Sequence, residues 1–384
     1  MIKTAFVVLL AVHAAIHLVG FAKAFDLAKL PQLSIAISRP LGVVWLFAAA
    51  AYALTAVLFV VAPERWWIAG LVALVASQSV IFTAWSDAKF GTAINVLVLV
   101  PMTLALLDAR SSSFPSQYRR EAQRGLARTV PQDDVTEADI ASLPAPLRGY
   151  LRRTGVVGRP RVQNFRARWH GRIRNGTDAP WMTTRVEQVE FFDEPARIFF
   201  MQASRWGIPF HALHVYEGAR ATMRVRVASL LDVVDARGPE MNQSETVTLF
   251  NDMCLLAPAS LIGANVVWRS IDDRRVHGTF TNAGNTIGAD LVFDAAGDLV
   301  DFVSHDRYQS ADGKTYRLVP WSTPVRDYRS YRGVRVAAHA GAIWREPSGD
   351  FSYASFELDD IEFNVRAGGD REPRDAFERL STRN

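Results

Sequence analysis

Cysteine is all but missing: Cys254 is the only one in 384 residues. A lone thiol excludes an internal disulfide framework and cannot by itself build a zinc site or a redox pair, so the compartment stays open. Also missing are G-x-S-x-G, G-x-G-x-x-G, a Walker-type loop and H-E-x-x-H, which argues against the common hydrolases, nucleotide binders and zinc peptidases. The net charge is +4, yet no lysine-rich tract or aromatic-basic motif accompanies it. Nucleic acid is therefore a poor partner, and a membrane a better one. Charge is scarce before about residue 109, where long apolar runs replace it. After that point Arg, Asp, Glu and Gly occur in globular proportions.

Four apolar segments, 4–22, 41–62, 66–86 and 91–108, are each close to the roughly 20 residues that cross a bilayer core of about 30 Å. The spacing predicts four spanning helices in a domain over 1–109. The first segment also has features of a secretory signal, since Lys3 precedes it and Ala22, Lys23 and Ala24 have the small-x-small form of a cleavage site. Lys3, Arg65, Arg110, Arg119, Arg120, Arg124 and Arg128 fall on one side of the spans, and Lys23, Lys29, Arg39 and Lys89 on the other. The richer side should be cytoplasmic, which puts the C-terminal part inside a bacterial cell membrane.

Within the first span, His13, His17, Gly20 and Ala24 share one helical face, and the apolar Val12, Ile16 and Val19 lie off it. Counted from "WSDAKFG" at about 1.5 Å per residue, Gln78 lies roughly 13 Å and Asn95 roughly 9 Å deep. The count pairs His17 with Asn95 and His13 with Gln78, with Asp87 and Lys89 at the mouth. Such a cluster either fixes helix order through hydrogen bonds or serves protons or cations. Haem does not fit, because both rings leave one helix face and no other histidine precedes residue 170. A metal held by the i, i+4 histidine pair is a further option, but no carboxylate or thiol lies at that depth to complete its ligand set.

Residues 110–134, Ser-rich and then Arg-rich, read as a basic juxtamembrane linker touching anionic headgroups. Thr136, three residues before Asp139, caps a short helix stopped by Pro144. From about residue 160 the period is two. In "VQNFRARWHGRIR" Phe165, Ala167, Trp169, Gly171 and Ile173 alternate with Arg166, Arg168, His170, Arg172 and Arg174. Ile287, Ala289, Leu291 and Phe293 form a second such face, and Val334, Val336, Ala338, Ala340, Ala342 and Trp344 a third. Turn signals at Asn282 to Asn285, Asp294 to Gly297 and Ala311 to Gly313 imply antiparallel neighbours. A change of parity after Leu358 predicts a bulge at Asp359 and Asp360.

One clear helix, over 242–256, interrupts the strands. Asn242 or Ser244 can cap it, and Val247, Leu249, Phe250, Met253 and Cys254 give it an apolar side. Trp169, Trp181, Trp206, Trp268, Trp321 and Trp344 exceed what a thin sandwich needs, so they are either plain core or the lining of a cavity. The small residues from Ala338 to Ala342 favour a cavity. The ligand-lining set expected is Phe165, Trp169, Ile173, Phe280, Leu291, Phe293, Val336 and Trp344 beneath the helix. His211 and His214 should face opposite ways on a strand, which speaks against a metal there. Glu245, Asp252, Asp301, His305, Asp306 and Arg307 would make either an acid–base group or a surface ion-pair network.

The chain resembles a family of uncharacterised bacterial membrane proteins over nearly its full length. "HLVGFAKAF", "SRPLGVVW" and "SDAKFGTAIN" carry the resemblance in the first part. "LPAPLRGYLRRTGVVGRPRV", "VDARGPEMNQSETVTLF", "DLVFDAAGDLVDFVSHDRY" and "PWSTPVRDYRSYRGVRVAA" carry it in the second. That family has no assigned activity, so no catalytic residue comes with it. Its soluble region is similar to the lipoprotein-carrier (LolA/LolB-like) fold, an open antiparallel half-barrel plugged by helices, which implies an acyl or other lipophilic ligand. Those carriers act outside the cytoplasm, against the charge count here.

The expected architecture is a four-span helical bundle, the linker, a mainly-β antiparallel half-barrel with one or two packed helices over 135–368, and a charged disordered tail over 369–384. The expected function is a membrane-anchored, non-catalytic binding protein for a lipophilic ligand or a membrane-associated partner, with no cofactor and no metal. The alternatives are a transporter or proton-coupled enzyme built on His13 and His17, and a structural envelope protein.

Overall fold

The computed structural model describes residues 2–31, 33–205 and 208–368. The expected tail over 369–384 and Trp206 lie outside the described residues. The chain divides into two compact units between Ser113 and Phe114.

The first unit consists of α1 (Ile2–Ala24), α2 (Arg39–Val61), α3 (Trp66–Thr83), the short α4 (Trp85–Ala88) and α5 (Gly91–Ala109). Four of them, α1, α2, α3 and α5, are long and apolar enough to cross a membrane. The small, polar face of α1 turns inward: His13, His17, Gly20 and Ala24 are buried, whereas Val12, Ile16 and Val19 are exposed. Gly20 permits this packing, because a Cβ there would stand 2.3 Å from the Trp45 ring of α2. Small residues at such a crossing let helices approach where lipid gives no hydrophobic push.

The second unit opens with α6 (Phe114–Leu126), α7 (Glu137–Ile140) and α8 (Ala145–Thr154), and α9 (Pro239–Leu255) follows later in the chain. Its first six strands are β1 (Asn164–Ile173), β2 (Met182–Phe191), β3 (Ala196–Arg205), β4 (Ile208–Glu217), β5 (Arg220–Val227) and β6 (Leu231–Ala236). After α9 come β7 (Val266–Asp272), β8 (Arg275–Asn282), β9 (Asn285–Phe293), β10 (Leu299–Ser304), β11 (Tyr308–Gln309) and β12 (Arg317–Leu318). The last are β13 (Trp321–Ser322), β14 (Val325–Tyr331), β15 (Val334–Glu346) and β16 (Gly349–Phe363). Strands β11 and β12 pair apart. The rest form one antiparallel sheet in the order β6, β5, β4, β3, β2, β1, β16, β15, β13, β10, β9, β8, β7, with β14 against β15. Its two edges, β6 and β7, do not meet, so the sheet is open.

Period-two alternation produces this sheet. In β1, Phe165, Ala167 and Trp169 are buried, while Arg166 and Arg168 reach Glu362 and Asp360 on β16 at 3.0 and 2.9 Å. The bulge falls where the parity change placed it: Arg168 pairs with Asp360 and Trp169 with Leu358, which leaves Asp359 over. Thr136 and Asp139 form the expected capping box, but Pro144 does more than end a helix. It precedes α8, whose Tyr150 donates to the Cys254 carbonyl at 2.8 Å. Helix α9 begins earlier than expected, at Pro239 after Gly238, because proline needs no N–H partner in a first turn. Asn242 and Ser244 are interior to it. They accept the N–H groups of Ala221 (2.7 Å) and Tyr308 (3.0 Å) instead.

The segment read as a linker holds α6. Phe114, Tyr118, Ala122 and Leu126, spaced by four, form one buried stripe on Val189, Phe191, Ile198, Phe200 and Leu213 of the sheet. Arg119, Arg120 and Arg124 face outward. Contact is close at Gly125, where a Cβ would lie 2.2 Å from Phe191 Cζ. A Gly125→Leu substitution should therefore lift α6 and cost about 1–3 kcal/mol by overpacking. Thermal unfolding, with limited proteolysis at Arg119 to Arg128, checks this.

Candidate functional site

The covering of β3 on both sides decides what its residues do. Ile198 and Phe200 lie under α6, and Arg197, Phe199 and Met201, on the other parity, face α9. On that inner face a cavity of about 160 Å³ separates the sheet from α9. Its apolar wall includes Trp169 and Ile173 of β1, Val186 of β2, Met201 of β3 and Phe356 of β16. Ala340 and Ala342 of β15 leave it room. Helix α9 turns Glu245, Thr248, Asp252 and Leu255, spaced by three and four, toward the same space. Its other side is sealed in the core, where Phe250 stacks on Phe280 at 5.1 Å and meets Phe302 at 5.7 Å.

One end of the cavity is charged. Arg197, 6% exposed, lies 2.8 Å from Asp252 Oδ2, 3.2 Å from Glu190 Oε1 and 3.2 Å from Glu245 Oε2. Gln188 donates to Asp252 at 2.7 Å and to Glu190 at 3.0 Å. Arg307 rests 4.3 Å over the Trp321 ring and donates to Thr248 at 3.3 Å. Burial alone would push Glu245 up, but the His214 ring and the Arg197 and Arg307 charges outweigh it and hold its carboxyl at about 2. Glu190 goes the other way: burial, then the Asp252 charge, raise it well above the usual carboxylate range. Four atoms of this region have no hydrogen-bond partner among the described residues: Trp169 Nε1, Glu190 Oε2, His214 Nδ1 and Glu245 Oε1.

A raised carboxyl has a pH signature. Above the ordinary glutamate value of 4.5 the unfolded chain releases a proton that folded Glu190 keeps. Stability therefore falls as pH rises, by about 1.4 kcal/mol per unit, until the folded value is passed. Glu190→Gln should match the parent near pH 4.5 and be increasingly more stable above it. Urea titrations along a pH series would show a flatter slope for the variant, and parallel slopes would refute the assignment.

Of the expected lining residues, Trp169 and Ile173 do line this cavity. Phe165, Leu291, Phe293 and Val336 are packed into the core, and Trp344 stacks on Tyr353 with 6% exposure. Phe280 borders a different hollow beside β8. The acid–base candidates split as well. Glu245, Asp252 and Arg307 come together at the charged end, buried and not on the surface as a loose ion-pair network would be. Asp301 pairs with Ser322 and Arg345, Asp306 accepts the Gly288 N–H, and His305 is exposed. His211 and His214 do lie on opposite faces: one meets Phe200 and Ser229, the other Phe199 and Glu245. Arg197, Gln188 and Glu190 escaped the sequence reading. The available signal was the continuous run Ile198 to Met201, which marks a strand covered on both sides and so an Arg197 that must be paired inside.

The first unit has its own polar cluster, with pairings that differ from the depth count. His17 donates from Nδ1 to the His13 carbonyl at 2.8 Å and accepts from the Ser77 hydroxyl at 2.9 Å. Asn95 donates to Ser77 at 3.0 Å and to Gln78 at 2.9 Å, and accepts from Tyr52 at 2.6 Å and His13 Nε2 at 3.0 Å. Asn95 thus meets His13, not His17. Ser77, about 100° round the helix from Gln78, takes the inner position. Asp87 makes no hydrogen bond to this network, binding Ser34 and the Ile35 N–H at 2.7 and 2.8 Å, but it lines the same hollow as His13 and His17. No group of three or more His, Cys, Asp or Glu able to hold a metal occurs among the described residues.

Four apolar helices followed by an open antiparallel sheet, with one buried helix packed over a partly open, mainly apolar cavity that has a charged end, define the class. The chain belongs to a family of unknown function, DUF6544, which it matches over residues 133–356. No curated protein matches it. Among solved structures it is similar to a LolA superfamily protein from Nitrosomonas europaea, at 13% identity and a TM-score of 0.32 over 52% of this chain and 86% of that one. It is also similar to a DUF1329 family protein from Desulfovibrio piger, at 13% identity and a TM-score of 0.34 over 61% and 95%.

Proposed function

We propose that the protein is a membrane-anchored, non-catalytic binding protein that holds part of an amphiphilic lipid between its sheet and α9. One observation carries this reading: the α9 cavity has apolar walls at one end and, at the other, the buried ionic groups Arg197, Glu245 and Asp252, with Glu245 Oε1 and His214 Nδ1 facing each other at 3.6 Å, beyond hydrogen-bond distance. Unpaired buried polar groups are costly, and a ligand bearing hydroxyl or amide groups, whose O–H or N–H can donate to a carboxylate oxygen, would satisfy them. The cavity is open at its mouth, so its volume limits only the segment held inside. A cavity of about 160 Å³ is close to one that holds a benzene ring, hence roughly six carbons. At about 0.8 kcal/mol per methylene this supplies about 5 kcal/mol, a Kd on the order of 10⁻⁴ M. The chain segment alone is held weakly and reversibly, and the polar end selects.

Native mass spectrometry of the detergent-extracted full chain should show one retained amphiphile per protein; a spectrum of bare protein throughout would contradict the proposal. On the Lys and Arg count we place the second unit in the cytoplasm of a bacterial cell. A C-terminal reporter active only outside the cytoplasm should then stay silent, and activity would reverse the orientation.

A further inference from the structure

We infer that one end of the sheet, the tips around Ile208 and Leu230, docks on the bilayer surface. Arg205 pairs with Ile208 and Val227 with Leu231, so the end of β3, the start of β4 and the β5–β6 turn lie at the same end. They are tied side by side, the Ala228 N–H donating to the Pro209 carbonyl at 2.8 Å. Ile208, Leu230, Leu231 and Val233 are exposed there by 45, 56, 67 and 54%, and β6 is an edge strand.

The occupant follows from where the chain enters this unit. Phe114 comes five residues after Ala109, the end of the last apolar helix, a reach of at most about 18 Å. Its ring packs 4.4 Å under Arg226, the neighbour of Val227 at the tip. The five-residue connection therefore lets the tips reach the surface that α5 leaves. Of the outward arginines of α6, Arg119 and Arg120 lie nearer this end and add the charge that anionic headgroups favour, whereas Arg124 lies further along and pairs with Glu121 at 2.6 Å. At the tip itself Arg226 is paired with Asp232 at 2.7 Å, so the aliphatic side chains carry the contact, and these fit a lipid interface.

The cavity's apolar end is turned the same way. Ile173 pairs with Met182, Thr183 with Ser204 and Arg205 with Ile208, which puts Ile173 at the end of the sheet that bears the tips. An acyl chain leaving the membrane there would meet Ile173 and Met201 before the charged floor.

The docking inference stands on exposure and tether, independent of what fills the cavity. Full-length protein carrying Leu231→Cys or, as a second reporter, Leu230→Cys, labelled with an environment-sensitive fluorophore, is placed in nanodiscs of anionic lipid containing nitroxide-labelled chains. Both positions should lose about twofold or more of their intensity, while Val267→Cys on the opposite edge strand keeps its own. Equal intensities at all three positions would overturn the inference, as would a disulfide joining two Leu231→Cys copies without quenching. Quenching in protein that carries no lipid in its cavity would sustain docking and remove the binding proposal; the reverse would do the opposite.

Discussion

Arg197→Met should destabilise the second unit by about 3–5 kcal/mol, because it leaves buried carboxylates without a counter-ion. Arg197 is the shared partner of Asp252, Glu190 and Glu245 at 2.8, 3.2 and 3.2 Å, and Arg307 stands 4.0 Å from Glu245. For a unit of this size the loss corresponds to a Tm lower by on the order of 10 °C. Acid tolerance should change as well. Glu245, held at about 2 against an ordinary 4.5, stabilises the fold fully above 4.5, and that contribution is lost as pH falls toward 2. Without Arg197 the loss begins at higher pH. Replacing Arg197, Glu245 and Asp252 together by apolar residues should recover most of the stability, since Glu190, kept protonated by burial, needs no counter-ion and an apolar substitute for a buried ionic group is often neutral. The triple variant would keep its fold and lose the polar end of the cavity, so calorimetry and lipid retention would part company.

Ala342→Phe should lower amphiphile binding at least tenfold, about 1.4 kcal/mol, while leaving the melting temperature unchanged or higher. Ala342 is buried at the cavity wall beside Ala354 of β16. A ring at this position would take the space a chain needs and would fill an apolar void, a change that usually stabilises by about 0.5–2 kcal/mol. Displacement of a fluorescent fatty acid from the detergent-solubilised full chain measures the first effect, and a thermal scan the second. Weakened binding with a large fall in Tm would mean instead that the wall has no room.

The β architecture was readable because alternation is a local signal. Phe165 to Ile173 announce their inward parity without knowledge of any partner, and the parity break after Leu358 marks the bulge. Which aromatics fill the core and which border empty space was not readable. That depends on how far α9 stands from the sheet, which is set by Phe250 against Phe280 and by Arg197 against Glu245, contacts far apart in sequence. Helix α6 was hidden for another reason: its arginines dominate the composition, whereas its buried stripe is only Phe114, Tyr118, Ala122 and Leu126. In the first unit the face holding His13 and His17 was legible from helical periodicity. Their partners were not, because a depth count fixes height along the bundle and leaves the angle round each helix free, and that angle selects Ser77 over Gln78.

The claim that the α9 cavity holds lipid is tested most directly by photolabelling. Full-length protein in nanodiscs would be irradiated with a diazirine-bearing acyl lipid, digested, and its adducts located by mass spectrometry. Adducts on Ile173, Met201 and Phe356, lost in Ala342→Phe, are the expected result. Adducts confined to residues 2–109, with none on those three side chains, would contradict it.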